Sequence, residues 1–168
     1  MSQLHINQIK NKIKEMFSTD IDLSDIKSND PQYENYLLTR SLAAYAIFIN
    51  VNCTIEEAAQ SVTDGTDDNG IDAIFYSDIY KTLYLVQSKW NHSGQGEPSL
   101  NDMMKFIQGI KDLLNFKFDR FNQKIIKQKE FLENIISGYG NKLCFILIDT
   151  GARKNLSKHS LNLMNDLV

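Results

Sequence analysis

The chain has 168 residues, of which 42% are hydrophobic and 23% charged, with a formal net charge of −3. That length suits one domain with a real core, and the composition excludes a disordered or coiled-coil chain. No apolar run approaches the roughly 18–20 residues of a membrane span, and the start, Met-Ser-Gln-Leu-His, lacks the basic and apolar regions of a signal peptide, so we expect an intracellular, cytoplasmic protein with no membrane partner.

Residues 3–17 predict an amphipathic helix, because Ile6, Ile9, Ile13, Met16 and Phe17 recur at helical spacing. A polar segment, 18–29, follows. Asp30 as N-cap and Pro31 at the first helical position predict a helix from Pro31 to Asn50. Its apolar end, Ser41 to Val51, is too short for a membrane and reads as buried. Thr54 and Glu57 have the spacing of a capping box and open a short helix to about Val62. Residues 64–70 form a loop. Ile71 to Tyr76 and Thr82 to Trp90 are rich in β-branched and aromatic residues and predict two strands joined by a turn. Ser99 starts a helix carrying Met103, Phe106, Ile107, Ile110, Leu113 and Leu114. A second helix is expected from about Phe121 to Gly138. Lys142 to Asp149 is a continuous apolar strand, expected to be covered on both faces. A last helix is expected from about Leu156 to Val168. The fold class is α/β, a small mixed sheet flanked by helices in a single domain, 1–168. The last helix ends without a cap or tail, so we expect the chain to be the front part of a longer protein.

Two cysteines, Cys53 and Cys144, are far apart and without a CxxC partner, so they read as buried thiols. The three histidines, His5, His92 and His159, have no metal-binding spacing. Charge is uneven. The stretch 64–78 has five aspartates and no basic residue, while 105–129 has six lysines and one arginine against two aspartates. An acidic site beside a basic face suits a phosphodiester substrate, although those lysines read first as a solvated helical face.

The chemistry concentrates in two places. Gln87 and Lys89, two apart, point to one side of their strand. Asp72 opens the preceding strand, and a hairpin brings it to the same end. A hard divalent cation wants oxygen ligands, usually one or two carboxylates plus waters for Mg²⁺. Asp72 is the anchoring ligand, Gln87 a neutral amide ligand, and Lys89 the catalytic cation that steadies developing charge. A second carboxylate is needed, and Glu34 is the candidate, with Asp68 as the alternative. Asp64 and Asp67 read as turn residues.

Asp68, Gly70, Ile71 and Asp72, followed about fifteen residues later by Gln87 and Lys89, resemble the motif of the PD-(D/E)xK restriction-endonuclease-like superfamily, in its Mrr-like branch. The fuller run from Thr63 to Ala73, with Leu85 to Lys89 and a helical Glu34, is similar to the N-terminal nuclease domain of abortive phage infection (AIPR) proteins. The resemblance covers about Tyr33 to Trp90. It implies a core of helix, three-stranded meander, helix and strand, with Asp72, Gln87 and Lys89 as the site and Glu34 as helper. It also implies dependence on Mg²⁺ (or Mn²⁺), nucleic acid as partner (DNA ahead of RNA), and a role in phage defence. The first meander strand is not evident, and 63–66 is the stretch that would supply it. The alternative is an inactive nucleic-acid-binding or sensing module on the same fold. A homodimer would suit double-strand cutting.

Overall fold

The computed structural model describes residues 2–151 and three single positions beyond them, 158, 162 and 165. The helix expected from about Leu156 lies outside that continuous range. The elements are α1 (Gln3–Phe17), α2 (Tyr33–Asn50), α3 (Ile55–Gln60), β1 (Ala73–Ser77), β2 (Thr82–Lys89), α4 (Leu100–Leu114), a 3-10 turn (Phe118–Arg120), α5 (Gln123–Ile126), α6 (Lys129–Ser137) and β3 (Lys142–Asp149).

The sheet is mixed, in the order β1-β2-β3. β1 and β2 are antiparallel, with Ala73 opposite Val86 and Ser77 opposite Thr82. β2 and β3 are parallel, with Thr82 beside Lys142 and Lys89 beside Asp149. Alternation along the central strand sorts its side chains between two cores. Tyr84 and Val86 join Ile13, Phe17, Leu38, Ala43 and Ile47 under α1, α2 and α3. Leu83 and Leu85 join Phe106, Ile110, Leu113, Ile125 and Leu132 under α4, α5 and α6. Helices therefore cover both faces, and the expected α/β architecture with a small mixed sheet is what the chain adopts.

Local chemistry explains most boundaries. The Ser2 and Ser99 hydroxyls cap α1 and α4. The capping box of α3 is complete: the Thr54 hydroxyl accepts from the Glu57 N–H, and the Glu57 carboxylate accepts from the Thr54 N–H. Three expectations need correction. α2 begins at Tyr33 rather than Pro31, because the Asp30 carboxylate accepts from the Gln32 N–H at 2.7 Å and folds 30–32 into a turn before the helix. The helix expected over 121–138 is broken into α5 and α6. Asn122 caps α5 by accepting from the Ile125 N–H, while its amide donates to the Thr63 carbonyl, so this corner is tied to the loop across it. β3 is an edge strand among the described residues, half-buried rather than covered on both faces. The buried strand is β2, every residue of which but Lys89 is buried.

No strand forms over 63–66; a short bridge lies just before it. Val62 forms an isolated antiparallel bridge with Ala73. Around it the Ile74 N–H donates to the Ser61 carbonyl, and the Thr63 N–H to the Asp72 carbonyl. The ladder stops there because residues 64–70 turn away, with Asp67, Asn69 and Gly70 all at positive φ.

Candidate active site

The hairpin places the start of β1 and the end of β2 at one end of the sheet, as expected. Asp72 is 4% exposed there. One of its oxygens, Oδ2, accepts from the Ser88 N–H at 2.7 Å and from the Ser88 hydroxyl at 3.0 Å. Ser88 Oγ also reaches the Thr39 carbonyl, so Asp72 is tied through Ser88 to α2. Burial, with Asp64 and Asp68 close by, pushes the Asp72 carboxyl up to about 8 against the partial relief of the Ser88 N–H and Lys89. Without a cation, Asp72 holds its proton at neutral pH.

Oxygens of Asp64, Asp68 and Asp72 all lie within 4.8 Å of one another, the one such cluster among the described residues. Each joins it by a different device. Asp64 follows the short ladder beside β1 and is held by Arg40, whose Nε donates to Asp64 Oδ2 at 2.7 Å. Arg40 is fully buried and also forks onto Asp25, at 2.6 and 2.7 Å, and donates to the Asp22 carbonyl. Asp68 turns back on its own loop, where Oδ1 accepts from the Gly70 N–H at 2.7 Å and from Lys105 at 2.8 Å. The loop lies flat on α4. A Cβ on Gly70, at φ 78°, would come within 2.8 Å of the Phe106 backbone nitrogen, and a Cβ on Gly109 would collide with the Asn69 carbonyl. Asn69 also donates to the buried Asp112 of α4, at 3.1 Å.

Gln87 and Lys89 share the α4 side of β2, as their spacing requires. Gln87 is 1% exposed, and its amide donates to the Asp102 carbonyl at 3.0 Å. The amide oxygen, Oε1, is buried without a partner. Lys89 is partly exposed, and its ammonium lies 3.0 Å from Asp102 Oδ1. Beyond Lys89 opens a cleft of about 280 Å³ at the carboxyl ends of β2 and β3, lined among others by His92, Glu97, Asp102 and Asp149. Crevices at that end of parallel strands are the usual binding place in α/β sheets.

Glu34 is placed elsewhere. Its carboxylate is half-exposed at the start of α2, at 2.9 Å from Lys10 and 3.1 Å from Lys14, and those ammonium groups hold it below the ordinary carboxylate range. It is not one of the three clustered carboxylates, whereas the alternative, Asp68, is. Asp64 is more than the turn residue expected of it, because the ladder and Arg40 turn it toward Asp72. Asp67, at φ 59°, is a turn residue as expected. Arg40 and Asp102 were not singled out by sequence. Arg40 had a signal, being the only basic residue of α2 and standing directly before its apolar part; Asp102 was hidden in an ordinary capping sequence. The basic stretch is largely spent internally: Lys105 pairs with Asp68, Lys117 and Arg120 with Asp112, Lys124 with Asp22, and Lys129 with Glu133.

The donor set fits a hard divalent cation. It consists of oxygen only, the three convergent carboxylates of Asp64, Asp68 and Asp72. The thiols Cys53 and Cys144 are free, raised by burial, and not part of it. Comparison of the chain with protein-family models, with curated proteins and with solved structures finds no match. No helix among the described residues is long and apolar enough to cross a membrane.

Proposed function

We propose that the chain is a metal-dependent endonuclease domain that hydrolyses nucleic-acid phosphodiester bonds, DNA in preference to RNA, in defence against phage. The observation that carries this is the convergence of the Asp64, Asp68 and Asp72 carboxylates at the end of the β1-β2 hairpin where β2 carries Gln87, with its unpaired amide oxygen, and Lys89. What supports it in the fold is the antiparallel β1-β2 hairpin with β3 parallel to β2 and helices on both faces of the sheet.

Asp72 would anchor a cation, Asp68 and Asp64 would supply the further carboxylates, and Gln87 would offer its neutral amide oxygen. The same burial that raises Asp72 makes its ionised form costly, so binding a cation would require Asp72 to give up its proton. Bound Mg²⁺ or Mn²⁺ would supply Lewis acidity toward the phosphate and a more acidic water. Lys89, with its ammonium at the cleft wall, offsets the negative charge that develops on the phosphoryl oxygens and orients the attacking water. Arg40 keeps Asp64 aimed at the cluster by holding one of its oxygens.

The test is cleavage of mixed DNA and RNA substrates with Mg²⁺ or Mn²⁺ by wild type, Asp72→Ala and Lys89→Ala. Wild-type cleavage is expected, with rates at least a hundredfold lower in both variants, which retain wild-type circular dichroism. Cleavage that persists in both variants rejects the assignment.

A further inference from the structure

Gln87 carries an amide whose two ends differ chemically, and the structure fixes which end faces which way. The Asp102 carbonyl can only accept, so it takes the NH₂ end of Gln87, at 3.0 Å. The oxygen end is left buried and unpaired. The same residue, through its side chain, engages Lys89: Asp102 Oδ1 lies 3.0 Å from the ammonium. Its other oxygen accepts from the Ser99 hydroxyl at 2.7 Å, and its N–H donates back to that hydroxyl at 3.1 Å. Asp102 is thus locked in the first turn of α4, where Ser99 is the N-cap.

We infer that Asp102 is the positioning residue for both Gln87 and Lys89, its carbonyl presenting the Gln87 amide oxygen as a ligand and its carboxylate aligning the Lys89 ammonium at the cleft. This rests on the nuclease function proposed above. It also explains why a neutral amide occupies position 87. A glutamate there would set a carboxylate oxygen against the Asp102 carbonyl, acceptor against acceptor, with the Asp102 carboxylate near. The added negative charge would then fail to act as a better ligand.

Two variants separate the two roles. Asp102→Asn retains the backbone carbonyl and an oxygen for Ser99 but removes the charge that holds Lys89. Expected are a kcat at least tenfold lower, with KM, the Mn²⁺ dissociation constant and the urea midpoint all close to wild type. Restoring a carboxylate as Asp102→Glu should recover part of kcat. Gln87→Glu is expected to bind Mn²⁺ at least tenfold more weakly by calorimetry, despite its added charge. Wild-type kcat in Asp102→Asn, or tighter Mn²⁺ binding in Gln87→Glu, overturns the inference while leaving the nuclease reading intact. A wild-type chain that neither binds Mn²⁺ nor cleaves overturns both.

Discussion

Replacing Asp72 by asparagine should stabilise the metal-free protein and destroy its site. The Asp72 carboxyl lies at about 8 in the fold, against an ordinary 3.8. The folded chain therefore binds a proton that the unfolded chain has released, and the sign follows. The contribution of this group is fully present below the unfolded value and is lost as pH rises from about 4 through about 8. Each unit of that interval corresponds to about 1.4 kcal/mol, so Asp72 costs on the order of 4 kcal/mol at pH 7 relative to a group that does not titrate. Asparagine does not titrate, and its carbonyl can still accept from the N–H and hydroxyl of Ser88. Urea unfolding of both proteins with chelator present, from about pH 5 to about pH 7.5, checks this. The stability of Asp72→Asn should rise relative to wild type by about 3 kcal/mol over that range. Mg²⁺ should then raise the midpoint of wild type but not that of the variant. Parallel stability curves across this range would show that Asp72 is ionised in the fold, and the account of the site as a proton-for-metal exchanger would be wrong.

Other outcomes follow from the same geometry. Metal binding by wild type near pH 7 should release about one proton, and affinity should rise by nearly tenfold per pH unit up to about pH 8; calorimetry in buffers of different ionisation enthalpy measures both. Asp68→Asn should weaken Mn²⁺ binding at least tenfold, whereas Glu34→Gln should change it less than threefold, since Glu34 pairs with Lys10 and Lys14 instead. Arg40→Ala leaves Asp64 and Asp25 without their buried counter-ion and should cost about 3–5 kcal/mol in urea unfolding. Gly109→Ala should lower stability by about 1–3 kcal/mol by pushing the Asn69 carbonyl off α4; a wild-type melting temperature would refute that close packing.

Much of this protein is set by local chemistry and is legible in the chain. The helices at Gln3–Phe17 and Leu100–Leu114, the capping box at Thr54, and the strands over Thr82–Lys89 and Lys142–Asp149 depend on side-chain periodicity and on hydroxyl and carboxylate caps a few residues away. The shared face of Gln87 and Lys89 follows from strand alternation, and the pairing of their strand end with Asp72 from a short turn between two strands. Tertiary structure alone decided which carboxylates complete the cluster. Asp64 lies eight residues from Asp72 in an irregular loop, and it arrives because a short ladder beside β1 and a buried arginine from α2 turn it inward. Glu34 lies at the start of α2, where two lysines of α1 take it up. Asp102 meets Gln87 and Lys89 only because α4 crosses back over the sheet. Periodicity acts over a few residues and leaves a trace in sequence. Ion pairs and a buried acceptor depend on which surfaces the folded chain brings together, and no local pattern encodes that.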